Sequence, residues 1–343
     1  MVWQKLREHF PVTQRWAFLD HAAVAAPSRP CAEAMCEYAR DMAENGIASY
    51  VRWSKRVQEV RVLAGQLLNA LPEDICFVGS TTQGVGFIAE GFPWQPGDNM
   101  ITAAEEYPTN QYPWQNLSSR GVEVRAVPSR GNRISLEDLR NAMDSHTKLL
   151  SLSSVEFPSG FRNDLAALGE LCRAKNIFFF VDAIQSLGAI PLDVQQIPID
   201  ALAADSHKWL LGPEGAGLAY IRREWVERLH ATNVGWNSVV NAGDFSKLDF
   251  RLKPNAGRWE GGTINVGGVV GMGESLRLLL GIGIAAIEKR LEELTDYLCA
   301  QAPRSGYDVF SSRETGERSG IVSLVPKQGE PKELMKRCRE AGI

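Results

Sequence analysis

The sequence predicts an α/β fold in which helices cover both faces of a mostly parallel sheet, followed by a smaller α+β domain. Short apolar segments alternate with segments of helical periodicity through the first two thirds of the chain. With 343 residues and 44% hydrophobic content, the chain is long enough for one large and one small domain. A glycine-rich stretch at 256–273 precedes a second helical region. We therefore expect a large domain over residues 16–255 and a small domain formed by residues 1–15 and 256–343.

Seven apolar segments have the length and composition of strands. The most apolar of them, Ile177 to Val181, is typical of a strand that is buried on both faces, as in parallel sheets. The predicted strands are 74–78, 99–103, 122–127, 148–153, 177–181, 201–204 and 217–221.

Helical periodicity between these strands predicts helices that pack on the sheet. Asp164 is placed to cap a helix that buries Leu165, Leu168 and Leu171. Ser54 is placed to cap another helix, whose apolar stripe we assign to the core. That stripe consists of Val57, Val60, Leu63, Leu67 and Leu68. Further helices are predicted at 273–300 and 332–340.

An aspartate and a lysine each follow a predicted strand. Asp182 comes directly after Val181, and Lys208 lies shortly after the 201–204 segment. An acid that can hold a pyridinium proton and a lysine that can form a Schiff base are the minimum equipment for pyridoxal-phosphate chemistry. Taken alone, Asp182 is more typical of a helix cap or a loop acid, and Lys208 alone is weaker evidence still. Because a buried lysine loses solvation of its charge, we expect the pKa of Lys208 to be lowered.

A turn rich in small hydroxyl residues follows the first predicted strand and supplies the third element. The run Gly79-Ser80-Thr81-Thr82-Gln83 opens a predicted helix, whose N-terminus offers unpaired N–H groups to an anion. The overlapping Gly84-Val85-Gly86 matches a dinucleotide fingerprint, which would indicate a nicotinamide-dependent oxidoreductase. Its glycines lie beyond the strand-to-helix turn, so we interpret this match as chance.

Four motifs in order carry a family resemblance. They are Gly-Ser-Thr-Thr-Gln at 79–83, Val-Asp-Ala-Ile-Gln-Ser at 181–186, Ser-His-Lys-Trp-Leu-Leu-Gly-Pro-Glu-Gly at 206–215, and Trp-Glu-Gly-Gly-Thr-Ile-Asn at 259–265. Together they resemble the class V aminotransferase family, which includes cysteine desulfurases, selenocysteine lyases and isopenicillin-epimerase-like proteins. The resemblance implies a fold-type I enzyme with pyridoxal 5′-phosphate, a large domain built on a seven-stranded sheet, and a homodimer with shared active sites.

The resemblance also assigns roles to individual residues. Lys208 would hold the cofactor as the internal aldimine and then act as the base that moves the α-proton. Asp182 would keep the pyridine nitrogen protonated, and Gln185 would contact the 3′-hydroxyl. The phosphate ligands would be Thr82 and His207, with Ser80 and Thr81 as alternatives. Thr263 would reach the phosphate of the neighbouring subunit. The full set of implied cofactor-binding residues is Thr81, Thr82, Tyr107, Asp182, Gln185, Asp205, His207, Lys208 and Thr263.

The chain departs from the family pattern at three places. Tyr107 stands where desulfurases have a histidine that stacks on the cofactor, and a phenol carries protons poorly at neutral pH. Phe157 replaces an asparagine near the ring. The sequence ends at Ile343, before the family's carboxylate-binding arginine and the desulfurase cysteine loop, so we expect weak turnover unless Arg52, Arg162 or Arg258 supplies the clamp. We expect Cys338 to be structural.

Composition and charge limit the protein's expected partners and cellular location. A net charge of −4 without basic runs gives no electrostatic footprint for nucleic acid. The charged N-terminus lacks the apolar core of a signal peptide, and no apolar run reaches membrane-spanning length, so we expect a cytoplasmic protein. The six cysteines lack zinc-site spacing.

The sequence therefore predicts a pyridoxal-phosphate enzyme acting on an amino acid by transamination, elimination or racemisation. The alternatives are a cysteine desulfurase or selenocysteine lyase, and a non-catalytic pyridoxal-phosphate-binding protein.

Overall fold

A seven-stranded sheet forms the centre of the protein in the computed structural model, which describes residues 2–343. The strands are β1 (Ile75–Val78), β2 (Asn99–Ala103), β3 (Glu123–Val127), β4 (Thr147–Ser153), β5 (Phe178–Asp182), β6 (Ala201–Asp205) and β7 (Gly217–Ile221). Their order is β1-β7-β6-β5-β4-β2-β3, and β7 alone runs antiparallel to its neighbours. The predicted mostly parallel sheet is confirmed, and each observed strand end lies within one residue of its predicted position.

Helices cover both faces of this sheet. They are α1 (Val2–Leu6), α2 (Arg29–Asn45), α3 (Tyr50–Leu68), α4 (Thr81–Gly91), α5 (Tyr112–Gln115), α6 (Leu136–Ala142), α7 (Leu165–Lys175), α8 (Arg223–Val226), α9 (Val266–Ile282), α10 (Ile284–Gln301) and α11 (Pro331–Glu340). Strand β5 shows the two-sided burial directly. Phe179 and Val181 pack in the core beneath α3, α7 and α9, whereas Phe178 and Phe180 pack in the core beneath α4 and α8.

The two predicted helix caps have different outcomes. Asp164 caps α7 as expected, because its Oδ1 accepts a hydrogen bond from the Ala167 N–H at 3.0 Å. The prediction for Ser54 is wrong, since this serine lies inside α3, which begins at Tyr50. The helix extends one turn further because Trp53 is only 2% exposed and packs against α2 and α9.

The helical run predicted at 273–300 is two helices. Helix α9 begins earlier, where the Asn265 side chain caps it, and ends at Gly283, whose φ of +88° breaks the helix. Helix α10 then leaves at an angle of 79° to α9. No single helix within residues 2–343 is long and apolar enough to cross a membrane, although this bent pair passes the same test when taken together.

The C-terminal region contains the small two-stranded sheet β8 (Tyr307–Val309) and β9 (Leu324–Pro326), followed by α11. The predicted helix at 332–340 is confirmed as α11. The end of the chain meets its beginning, because the Ala17 N–H donates to the Gly342 carbonyl at 2.8 Å. Ala17 lies in the predicted large domain, so this contact does not test the predicted small domain of residues 1–15 and 256–343, which stays a prediction.

Candidate active site

Three elements bring polar groups to one edge of the sheet. Asp182 is the last residue of β5, and Asp205 is the last residue of the parallel neighbour β6. Lys208 lies three residues beyond β6, and the N-terminus of α4 lies against the same edge, since the Asp205 N–H donates to Thr81 Oγ1 at 2.9 Å. Ligands bind beyond the carboxyl ends of strands in such sheets.

Asp182 is a buried acid, only 2% exposed. Its Oδ1 accepts a hydrogen bond from the Ile184 N–H at 3.0 Å. Burial raises the pKa of Asp182 to about 6, and the Ile184 N–H and the charge of Lys208 oppose that rise. Burial in turn lowers the pKa of Lys208, as expected from the sequence, while the carboxylates of Asp182, Asp20 and Asp205 act against it.

The N-terminus of α4, residues 79–83, is the candidate phosphate seat, and side-chain hydrogen bonds fix its backbone. Ser80 caps the helix by accepting from the Gln83 N–H at 3.1 Å, and Gln83 Oε1 accepts from the Gly79 N–H at 2.7 Å. Thr81 is buried and its hydroxyl is engaged with β6, whereas Thr82 is exposed and shares a 2.9 Å hydrogen bond with the Thr109 hydroxyl. Thr82 is therefore the better placed of the two to meet a phosphate.

Gly84 and Gly86 lie within α4, past the strand-to-helix turn. A Cβ on Gly84 would stand 2.4 Å from the Cβ of Ala203 in β6, so this glycine allows the helix to lie close to the sheet. The interpretation of the dinucleotide match as chance agrees with this placement.

His207 and Asp205 lie between the phosphate seat and Lys208. His207 Nδ1 is 3.0 Å from Asp205 Oδ2, without hydrogen-bond geometry, and it finds no hydrogen-bond partner among residues 2–343. The other oxygen of Asp205 accepts from the Ser206 N–H at 2.7 Å. Nδ1 therefore faces the Asp205 carboxylate, which leaves Nε2 as the ring nitrogen that can meet another polar group.

Gln185 links the lysine segment to the N-terminal part of the chain. Its Oε1 accepts from Trp209 Nε1 at 3.0 Å, and its Nε2 donates to the Ala22 carbonyl at 3.1 Å. An amide nitrogen carries two hydrogens, so one N–H remains for another acceptor.

Two aromatic rings stand on the open side of the site. Lys208 Nζ is 5.5 Å from the centre of the Tyr107 ring, and Phe157 packs edge-on against Tyr107 at 5.3 Å. Tyr107 is 48% exposed and Phe157 is 41% exposed, so both rings are accessible from solvent.

Sequence reasoning missed two buried acids beside Asp182. Glu106 accepts from the Ser153 N–H and hydroxyl, and Glu156 accepts from Asn163 Nδ2 at 2.7 Å. Burial raises the pKa of Glu106 to about 7, and the charge of Asp182 adds to that rise. Burial also raises the pKa of Glu156 well above its ordinary value, and there the charge of Glu106 adds to the effect. Both residues lie three positions beyond the ends of β2 and β4, and that position alone does not indicate that they are buried.

Thr263 lies apart from Lys208, in a cavity of about 210 Å³ that Gly79 and Gln83 also line. It thus lies near the phosphate seat of its own chain, and its contact with a neighbouring subunit stays a prediction. Cys338 is half-buried in α11.

The three arginines considered as carboxylate clamps are engaged elsewhere. Arg52 pairs with Glu37 and Asp41 on the surface, and Arg162 pairs with Glu288 at 2.7 Å. Arg258 is buried, and its guanidinium donates to the carbonyls of Lys253 and Val226 at 2.7 and 2.8 Å.

The site fits pyridoxal phosphate on structural grounds. The capped N-terminus of α4, the exposed Thr82 hydroxyl and His207 Nε2 suit a phosphate. The buried Asp182 suits a protonated ring nitrogen, and Lys208 suits a covalent attachment.

Comparison with known proteins supports this assignment. Residues 17–343 match the family described as aminotransferase class-V. A probable cysteine desulfurase from Methanothermobacter thermautotrophicus is 28% identical over 347 residues, which cover 99% of this chain and 86% of that protein.

Two solved structures share the fold. The apo cysteine desulfurase of Thermococcus onnurineus NA1 superposes with a TM-score of 0.90 at 23% identity, over 99% of this chain and 86% of that one. The cystine C–S lyase C-DES in complex with cysteine persulfide gives a TM-score of 0.89 at 23% identity, over 97% and 90% of the two chains. The chain belongs to the class V aminotransferase family, whose members are fold-type I enzymes with pyridoxal 5′-phosphate as their cofactor.

Proposed function

We propose that this enzyme holds pyridoxal phosphate on Lys208 and acts on the α-carbon of an amino acid. The observation that carries the proposal is the pairing of Asp182 and Lys208, a buried acid and a half-buried lysine at the ends of adjacent parallel strands. Bound pyridoxal phosphate supplies an electron sink for the negative charge that develops at that carbon.

The chain's own groups divide the remaining work. Asp182 holds a proton at the ring nitrogen, and its burial strengthens that electrostatic interaction. The N-terminus of α4, Thr82 and His207 bind the phosphate. Lys208 Nζ moves the α-proton, because its lowered pKa leaves a larger fraction of the amine unprotonated at neutral pH. Tyr107 packs over the site and limits the access of water.

A homodimer is part of this proposal. Apolar side chains are exposed together with Thr263 around one cavity, which Ile47, Tyr50 and Trp236 line as well. Ile47 is 83% exposed, and large exposed apolar patches mark association surfaces. A second copy that covers this patch would bring Thr263 close to the partner's active site.

A cysteine desulfurase or a related C–S lyase is the second candidate. The relatives and structural neighbours with those names favour it. Tyr107 weighs against the desulfurase, since its phenol is a poor proton carrier at neutral pH. A panel of amino acids assayed for alanine, sulfide, keto acid and ammonia separates these reactions.

Borohydride reduction followed by peptide mapping tests the cofactor assignment. The reduced cofactor should be attached to Lys208, and Lys208→Ala should lose the adduct. Lys253 is a matched control, because burial lowers its pKa as well. An adduct on Lys253 or on any other lysine would contradict the proposal, as would the absence of any adduct.

A further inference from the structure

Trp209, the residue that follows Lys208, is enclosed by three separate segments of the chain, and it is only 8% exposed. His21 stacks on its face, with ring centres 5.5 Å apart and planes inclined by 22°. Its Nε1 donates a hydrogen bond to Gln185 Oε1 at 3.0 Å. The far edge of its six-membered ring meets Gly320, which belongs to the C-terminal region.

The contact between Gly320 and the indole leaves no room for a side chain. A Cβ at position 320 would collide with Trp209 Cη2 and would stand 2.9 Å from Cζ3. The φ of Gly320 is not positive, so the glycine serves this close approach rather than a special backbone conformation. Any larger residue here requires either the backbone or the indole to move.

The backbone around Gly320 is held in place. Ser319 is buried, and its Oγ donates to the Gly160 carbonyl at 2.7 Å and accepts from the Ile321 N–H at 3.1 Å. Ile321 packs in the same apolar cluster as Trp209. Because these contacts fix the segment on both sides of Gly320, a side chain at position 320 would displace the indole.

A displaced indole would act on Gln185, whose Oε1 accepts from Trp209 Nε1. Gln185 is buried, and its Nε2 uses one N–H for the Ala22 carbonyl at 3.1 Å. The second N–H remains for another acceptor. Both ends of the amide are therefore fixed by protein atoms, and these contacts set the direction of the remaining N–H.

We propose that Gly320 is a positioning residue of the active site, which holds the Trp209 indole so that Gln185 directs its remaining N–H at the 3′-oxygen of the cofactor. This inference rests on the proposed function, because it requires a cofactor on Lys208. It gives the C-terminal region a direct influence on the residues that flank the lysine.

The acidity of the bound cofactor reports on this N–H. Donation from Gln185 stabilises negative charge on the 3′-oxygen, which is greatest after the linkage to Lys208 has lost its proton. Loss of a hydrogen bond to a charged group should therefore raise the pH midpoint of the cofactor's absorbance change by about one unit. The carboxylates that act on Lys208 are unaltered in the variants below; they belong to Asp182, Asp20 and Asp205.

Two measurements test the role, one on each form of the protein. In the cofactor-free protein, NMR follows hydrogen exchange of the Trp209 indole N–H, whose signal Trp209→Phe identifies. Gly320→Ala should speed this exchange at least about tenfold, because the hydrogen bond to Gln185 is broken. In the holoenzyme, a pH titration of the cofactor absorbance should show a midpoint about one unit higher in Gly320→Ala and in Trp209→Phe.

The double variant shows whether Gly320 acts through the indole. Phenylalanine leaves space for the new methyl group, so Gly320→Ala should add nothing to the midpoint of Trp209→Phe. Gly281→Ala is the control, because its Cβ meets open space, and it should leave the exchange rate and the midpoint unchanged.

An unchanged exchange rate or an unchanged midpoint in Gly320→Ala would overturn the role of Gly320. If Gly320→Ala alone does not fold, the double variant should still fold and keep the midpoint of Trp209→Phe; a further rise, or failure to fold, would also overturn the role. Wild-type protein that takes up no cofactor would instead overturn the proposed function, whereas the exchange measurement would still show whether Gly320 holds the indole.

Discussion

Asp182→Asn should make the cofactor-free protein more stable while it disables the enzyme. This carboxyl is buried at the sheet edge and is only 2% exposed. Burial raises its pKa from 3.8 to about 6. An acid whose pKa is raised on folding favours the protonated form in the native state. Its contribution to stability is fully present below the unfolded pKa and is lost as the pH rises through the folded value.

The magnitude follows from the shift. A rise of roughly two pKa units corresponds to about 3 kcal/mol of lost stability at pH 8, and to about 1 kcal/mol at pH 4.5, where the native carboxyl is mostly protonated. Asparagine is nearly isosteric and carries no charge at either pH. We therefore expect the variant to gain about 3 kcal/mol over wild type at pH 8 and about 1 kcal/mol at pH 4.5.

Urea denaturation of the two cofactor-free proteins at both pH values measures this difference, and Asp308→Asn is the control for an exposed aspartate. In the holoenzyme the substitution should instead be harmful. The activation barrier should rise by several kcal/mol, on the order of the largest single catalytic effects. If Asp182→Asn gained nothing at pH 8, or gained equally at both pH values, the account of a strained carboxylate would be wrong. Wild-type activity in this variant would refute its catalytic role.

Three further sets of substitutions test the parts that support the site. Ser80→Ala removes the cap of α4. The free energy of unfolding from thermal denaturation should fall by about 1 kcal/mol, and cofactor binding should weaken. An unchanged cofactor affinity would show that the cap does not shape the phosphate seat. Arg61→Met leaves Glu260 buried without the two hydrogen bonds of 2.8 and 2.9 Å, so the free energy of unfolding in urea should fall by about 3–5 kcal/mol. The double variant with Glu260→Met should recover only part of this loss, because the Phe77 N–H then lacks its acceptor at 2.8 Å. Gly84→Ala should destabilise the protein by about 1–3 kcal/mol, because the new Cβ would collide with β6. Gly86→Ala places its Cβ in open space and should be neutral or stabilising by up to about 1 kcal/mol. Equal effects of the two substitutions would refute the close approach of α4 to β6.

The sequence indicated the acid, the lysine and the phosphate seat because each sits at the end of an apolar strand. That position fixes a side chain at the ligand-binding edge whatever the rest of the fold does. The sheet and its direction followed from the alternation of strands and helices for the same reason.

Residues that depend on contacts between distant segments were not predictable in this way. Glu106 and Glu156 become buried only because β2 and β4 pair side by side next to β5. Likewise, the ring of His21 stacks on that of Trp209, far away in sequence. The wrong start of α3 has a similar origin, since the burial of Trp53 against α2 and α9 extends the helix.

The hydrogen bond from the Asp205 N–H to Thr81 Oγ1 joins α4, which begins at the phosphate seat, to β6, the strand that precedes Lys208. Both residues are buried, so this hydrogen bond fixes the start of α4 against the end of β6 as part of the fold. Arriving cofactor therefore meets a preorganised receptor and loses little additional entropy of the chain on binding. Uptake should then be limited by diffusion and by covalent attachment rather than by a slow rearrangement of the protein, so that newly made apoenzyme becomes holoenzyme as soon as cofactor is at hand.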